Sequence, residues 1–252
     1  MTPKPVPEDG ARLGVRRRAA ALAGHCGDER AARMALADEH PDVRATGLGA
    51  LGRMGALNSA DLAGAVLDRE PVVRRRAVEL VGRTRPSAQL PTPDLRPMLD
   101  DPAGEVAEMA AWALGELGSR DAVTSLADTA RNHTEPLCRE AAVAALGAIR
   151  AATGEAGGAG EAGGAGEAGG AGEAGGAGES EGRGEEEALL AILEALNDRP
   201  AIRRRAVLAL AAFEGPRVSQ ALKAALDDRD WQVRQAAEDL IRPGELETVG
   251  ST

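Results

Sequence analysis

At 252 residues with 43% hydrophobic side chains, the chain has enough apolar material for one or two cores or for one elongated array. One Phe, no Tyr and two Trp leave Ala, Leu and Val to build the interior, small side chains that let helices approach closely. The net charge of −10 is unevenly spread, no apolar run approaches the ~20 residues of a membrane span, and Cys26 and Cys138 stand far apart, which excludes a disulfide framework and a Cys-x-x-Cys zinc site.

Residues 1–9, with Pro at positions 3, 5 and 7, lack the apolar stretch of a secretory signal and read as a disordered tail on a cytoplasmic protein. From there a pattern recurs: apolar, Arg, x, x, Ala, apolar, x, apolar, apolar, Gly. It begins at Val15, Val43, Val73, Val106, Cys138, Ile202 and Val233, at intervals of 28, 30, 33, 32, 64 and 31 residues. Apolar positions at offsets 0, 4, 5, 7 and 8 form the one-sided stripe of an α-helix. A second amphipathic stretch precedes each unit after the first: Glu29 to Ala37, Ala60 to Leu67, Asp94 to Leu99, Ala122 to Ala130, Glu186 to Leu196, and Val218 to Leu226. Turns such as Asp38-Glu39-His40-Pro41-Asp42 separate the two stretches, and their Asp and Pro residues suit a helix start. Each unit is therefore expected to be a helical hairpin. A lone hairpin leaves its apolar face in water, so neighbours must stack.

Asp-x-x-Pro-x-Val-Arg followed by Ala-Leu-Gly, carried most fully by Asp38, Pro41, Val43, Arg44, Ala50, Leu51 and Gly52, resembles the short HEAT repeats of phycobilin-lyase-type proteins. The resemblance implies an all-α superhelix, or solenoid, of about seven HEAT-like hairpins. The Ala- and Arg-rich, Lys-poor composition further suggests a bacterial source.

The interval of 64 contains four copies of Gly-Glu-Ala-Gly-Gly-Ala over residues 154–177. Half of that stretch is Gly, whose ordering is entropically costly, so it reads as a disordered linker. The expected organisation is an N-terminal tail 1–9, repeats one to five over 10–152, a low-complexity linker 153–184, repeats six and seven over 185–242 stacked on the first block, and a disordered tail 243–252. Charge follows these divisions: residues 1–85 carry net +4, 86–153 net −5, 154–187 net −8 and 188–252 net −1.

The leading arginines and turn aspartates, Asp38, Arg44, Asp68, Arg74, Arg139, Arg203, Asp228 and Arg234, are expected to form a structural ladder between repeats. A strip facing away from the apolar stripe is the candidate partner-binding surface: Arg17, Arg53, Arg75 and Arg83, then Glu108, Trp112, Glu116 and Glu140, then Arg204 and Leu208. HEAT-like solenoids place their second helices on the concave side, which implies a groove basic at one end and acidic in the middle. Trp112 is read either as an interface anchor or as a filler folded onto a neighbouring helix. Trp231 is expected to pack across a repeat boundary or cap the array.

His25, His40 and His133 fall in separate repeats without metal-ligand spacing, and the His-Glu pairs that resemblance to HEAT-type deoxyhypusine hydroxylases would require are missing. Cys26 follows His25 directly, and adjacent helical side chains do not face each other. No catalytic residue, cofactor site or metal site is assigned, and the chain is expected not to be an enzyme. The leading reading is a non-catalytic scaffold or adaptor that binds another protein along its concave groove, without a membrane. One alternative is nucleic-acid binding through the basic N-terminal groove, which lacks aromatics for base stacking. The other, implied by the resemblance, is a phycobilin-lyase-like or tetrapyrrole-handling subunit.

Overall fold

The computed structural model describes residues 8–84, 91–158 and 175–241. The fold is an all-α solenoid of HEAT-like helical hairpins, with no strand among the described residues. The chain divides into two compact units, Met1–Ala113 and Leu114–Thr252.

The first unit opens with α1 (Glu8–Cys26), followed by the hairpins α2 (Glu29–Leu36) with α3 (Pro41–Met54) and α4 (Ser59–Ala65) with α5 (Pro71–Arg83). Local chemistry sets their ends. The Asp28 side chain caps α2 by accepting from the Ala31 N–H at 3.0 Å, and Asn58 and Asp61 form a reciprocal capping box on α4. Pro41 and Pro71 occupy first-turn positions where no N–H is needed. Gly55, at φ +65°, turns the chain out of α3 while the Ala56 N–H donates to the Leu51 carbonyl at 2.9 Å.

The third hairpin departs from expectation. Where a helix over Asp94 to Leu99 was expected, the chain forms a five-residue 3-10 helix, Arg96–Asp100, ahead of α6 (Gly104–Glu116). Pro91 and Pro93 precede this limb, and Pro97 lacks the N–H that would close the first turn of an α-helix begun at Asp94. The limb still buries Leu95 and Leu99. The expected tail also begins to fold early, since Glu8 and Asp9 belong to α1.

In the second unit α7 (Val123–Asn132) pairs with α8 (Pro136–Gly158), α9 (Gly175–Ala195) with α10 (Pro200–Leu210), and α11 (Pro216–Ala225) with α12 (Trp231–Leu240). The second helices pack in order, α8 on α10 and α10 on α12, over a core that includes Cys138, Leu146, Ile149, Ile192 and Leu210. α9 also packs on α7, where Thr124 donates to Glu187 at 2.7 Å and Arg131 to Glu194 at 2.6 Å. Helix enters the low-complexity segment from both sides, through Gly158 and from Gly175. Ala and Glu are strong helix formers, and extending an already nucleated, packed helix costs far less than starting one. Residues 159–174 of the expected linker, 1–7 of the N-terminal tail and the whole expected C-terminal tail 243–252 lie outside the described residues.

The Gly that closes the repeat pattern has a packing cause. A Cβ on Gly24 would fall 2.8 Å from Ala50 Cα, one on Gly82 2.9 Å from Ala113 Cα, one on Gly115 2.9 Å from Ala145 Cα, and one on Gly147 3.0 Å from Ala209 Cα. Each contact joins offset 9 of one repeat to offset 7 of the next, and that partner is Ala every time. Gly52 obeys the same rule against the longer Leu80, whose Cδ2 would lie 2.7 Å away. Second helices thus touch backbone to backbone through Gly and Ala.

Candidate partner-binding strip and the arginine ladder

The leading arginines Arg44, Arg74, Arg139 and Arg203 work in two directions. Arg44 Nη1 donates to the carbonyls of Asp38 and Glu39, each at 3.0 Å, closing the turn before its own helix. Its Nε and Nη2 donate to both carboxylate oxygens of Asp68, in the next repeat's turn, at 2.8 and 2.7 Å. Arg74 repeats the geometry with Asp101 at 2.7 and 2.8 Å, Arg139 with Asp198 at 2.7 and 3.0 Å, and Arg203 with Asp228 at 2.8 and 2.7 Å. Asp228 O also accepts from Arg234 at 2.7 Å. Asp38 lies 3.3 Å from Arg16 Nη1.

Each carboxylate of the ladder also orders its own turn. Asp68 accepts from the Glu70 N–H, Asp101 from the Ala103 N–H and Asp228 from the Asp230 N–H. Burial pushes the Asp68 and Asp101 carboxyls up, but the hydrogen bonds from Arg44 and Arg74, with those backbone donors and the arginine charges, hold both below the ordinary carboxylate value. Hydrogen bonds from Arg139 and Arg203 lower Asp198 and Asp228 against the opposing effect of burial. Repeat four has Ala107 in place of the Arg, and repeat five opens its turn with His133 in place of the Asp, so both halves of a rung are replaced together.

The candidate strip separates into free and engaged side chains. In the first unit Arg17, Arg53 and Arg75 are exposed and form no ion pair among the described residues. Arg53 reaches back over Gly24, where its Nη1 would lie 2.8 Å from an added Cβ. Arg83 is committed to Glu79 at 2.9 Å, and Glu79 also holds Arg76, which covers Gly49. Trp112 is half-buried with Cζ3 over Gly82, at 2.8 Å from an added Cβ, and Glu108, four residues earlier on α6, is also half-buried. In the second unit Glu116 is exposed at the end of α6, Glu140 meets Arg205 at 3.5 Å, and Arg204 and Leu208 are exposed on α10. Leu208 borders an open apolar groove of about 320 Å³ between α8 and α10, floored by Ala144, Gly147, Ala148 and Ala151, with Arg205 at its side.

Several features escaped sequence reasoning. Trp231 is 64% exposed at the first turn of α12 rather than packed across a boundary. The first helices carry their own ties, such as Arg33 with Asp61 at 2.9 Å between α2 and α4. The groove beside Leu208 gave one weak signal, an i, i+3, i+4, i+7 run of Ala and Gly on α8. Among the described residues no group of three or more His, Cys, Asp or Glu side chains comes together to hold a metal, and no helix is long and apolar enough to cross a membrane.

The profile of the HEAT repeats family matches residues 62–147 and 174–242. This chain belongs to the HEAT-repeat family. A 50-residue stretch, 20% of the chain, is 46% identical to an uncharacterized phycocyanin operon protein Y of Pseudanabaena tenuis, and spans 11% of that protein. The HEAT fold of the chain is shared with the complex of CpcE and CpcF of phycocyanin lyase from Nostoc, at a TM-score of 0.51 and 18% identity over 71% of this chain and 94% of that one. Human deoxyhypusine hydroxylase matches at a TM-score of 0.42 and 22% identity over 92% of this chain and 79% of that one.

Proposed function

We propose that this chain is a non-catalytic, cytoplasmic HEAT-repeat subunit that binds another protein along its second helices, in a phycobilin-lyase-like setting. The observation that carries the reading is the 46% identical stretch shared with a phycocyanin operon protein. The likeness in fold to a lyase built as a complex of two chains agrees with a protein partner. This favours the lyase-like context over a generic adaptor. Exposed, uncommitted arginines in each unit supply orientation, and Leu208 with its alanine groove supplies apolar contact. The side chains around that groove contain no aromatic ring to wall a tetrapyrrole, so pigment handling is assigned to the complex.

The test is affinity capture from the native lysate with the triple variant Arg17→Glu, Arg75→Glu, Arg204→Glu alongside. The variant is expected to lose a stoichiometric protein partner while Tm stays within a few degrees, because exposed substitutions cost under about 0.5 kcal/mol each. Bilin attachment catalysed by the isolated chain would overturn the non-catalytic assignment. Salt-sensitive heparin retention, abolished by the same variant in the absence of any protein partner, would move the assignment to nucleic acid.

A further inference from the structure

α1 differs from every other second helix in what covers it. At offset 0 of the pattern, Val43, Val73, Val106, Cys138, Ile202 and Val233 are at most 2% exposed, whereas Val15 is 66% exposed. Leu22, at offset 7, is 53% exposed, although the equivalent residue meets the preceding repeat's Gly at five later junctions. In repeat two the cover at offset 0 comes from the hairpin's own first helix, since Val43 clusters with Ala35 of α2. α1 has no such partner among the described residues. Ala11, Val15, Ala19, Leu22 and Cys26 therefore form an exposed stripe with helical spacings of 4, 4, 3 and 4, opposite the face that packs on α3.

Arginines rim this stripe. Arg12 and Arg18 are exposed without an ion pair among the described residues, and Arg16 borders the groove at the start of the helix with its Nε buried and without an acceptor. We propose that the leading face of α1 docks an acidic amphipathic helix of a different protein, seated on Val15 and Leu22 and paired with Arg12 and Arg18. A second copy fits poorly in either register. Two α1 faces would set these arginines against each other. Stacking α12 of another copy onto α1 would place Glu238 at offset 5, which is apolar in repeats one to six. This surface is distinct from the strip proposed above to bind the partner, so each stands or falls separately.

The experiment titrates the full chain into a fluorescent, hydrocarbon-stapled 18-residue peptide with Leu and Ala on one face and Glu on both flanks, beside a twin with Lys replacing Glu. The Glu peptide is expected to bind with an affinity that falls as salt rises, and the Lys peptide at least tenfold more weakly. Val15→Asp with Leu22→Asp should weaken the Glu peptide at least tenfold, with an unchanged circular dichroism spectrum because both residues are exposed. Arg12→Glu with Arg18→Glu should reverse the preference, and Leu208→Asp should leave it intact. No binding by wild type, or binding indifferent to Val15→Asp with Leu22→Asp, would overturn the proposal. A concentration-dependent dimer in ultracentrifugation that Val15→Asp abolishes would overturn it in favour of a second copy. At least tenfold tighter peptide binding after deletion of residues 1–7 would overturn it in favour of the chain's own N-terminal segment.

Discussion

Arg74→Ala is expected to destabilise the protein by about 2–4 kcal/mol, read as a lower urea midpoint and a Tm lower by several degrees. Asp101 has a side chain only 4% exposed and receives both donors of its fork from Arg74. Removing the guanidinium leaves that carboxylate without its main partner and also frees the carbonyls of Asp68 and Arg69, which Arg74 satisfies at 2.9 and 3.1 Å. Arg74→Lys should recover only part of the loss, because an ammonium cannot reproduce the planar fork. The double variant Arg74→Ala with Asp101→Ala should be less destabilised than the sum of the singles, since it removes the uncompensated charge. An additive result would show that the pair does not couple.

The same carboxylates set an acid limb. Asp68, Asp101, Asp198 and Asp228 are held below the ordinary value in the fold, so their contribution is fully present above the unfolded carboxylate pKa of about 3.9 and is lost as pH falls through the lower folded values. The urea midpoint is expected to be flat between about pH 5 and 8 and to drop below about pH 4. In Arg74→Ala that drop should be shallower. An unchanged acid limb in the variant would remove Asp101 from the ladder.

Gly147→Val is expected to cost at least about 3 kcal/mol, at or above the upper end for overpacking, because a Cβ there would lie 2.9 Å from Ala209 Cβ and 3.0 Å from Ala209 Cα. The obstacle is a backbone, so relief requires α8 and α10 to separate and to give up the contacts around Leu146 and Leu210. Gly64→Ala in α4 is the matched control, with nothing within 4 Å of the new methyl. There the better helix propensity of Ala should raise stability by about 0.5–1 kcal/mol. Equal effects at the two glycines, measured by urea unfolding, would refute close approach as the reason for the motif's Gly.

Much of the architecture was legible because HEAT-like hairpins are written in short-range periodicity. Offsets 0, 4, 5, 7 and 8 define a helix face within ten residues, and Asp with Pro marks its start. The limb at Arg96–Asp100 departs from the expected helix because the spacing of Leu95 and Leu99 suits a helix while Pro97 lacks the N–H that would close its first α-helical turn. The strip was legible as a list of positions. Its division into free Arg17, Arg53 and Arg75 and committed Arg83 and Glu140 was not, because a helical wheel shows direction and not the reach of a neighbouring carboxylate or arginine. Trp112 left two readings open at the sequence level, and the structure seats it over Gly82.

By itself, then, the sequence determined the hairpin repeat, its seven registers and the low-complexity insertion, and it singled out Arg44, Arg74, Arg139 and Arg203 with Asp68 and Asp228, but not the rung acceptors Asp101 and Asp198. Each of these follows from residues within about thirty positions of one another. Tertiary structure alone decided that Arg139 reaches Asp198 across 59 residues, that the terminal Gly of one repeat receives the Ala of the next, and that α1 carries a face no other described residue covers. These depend on which backbones touch when repeats stack, and that distance is set by side-chain volumes on two helices at once.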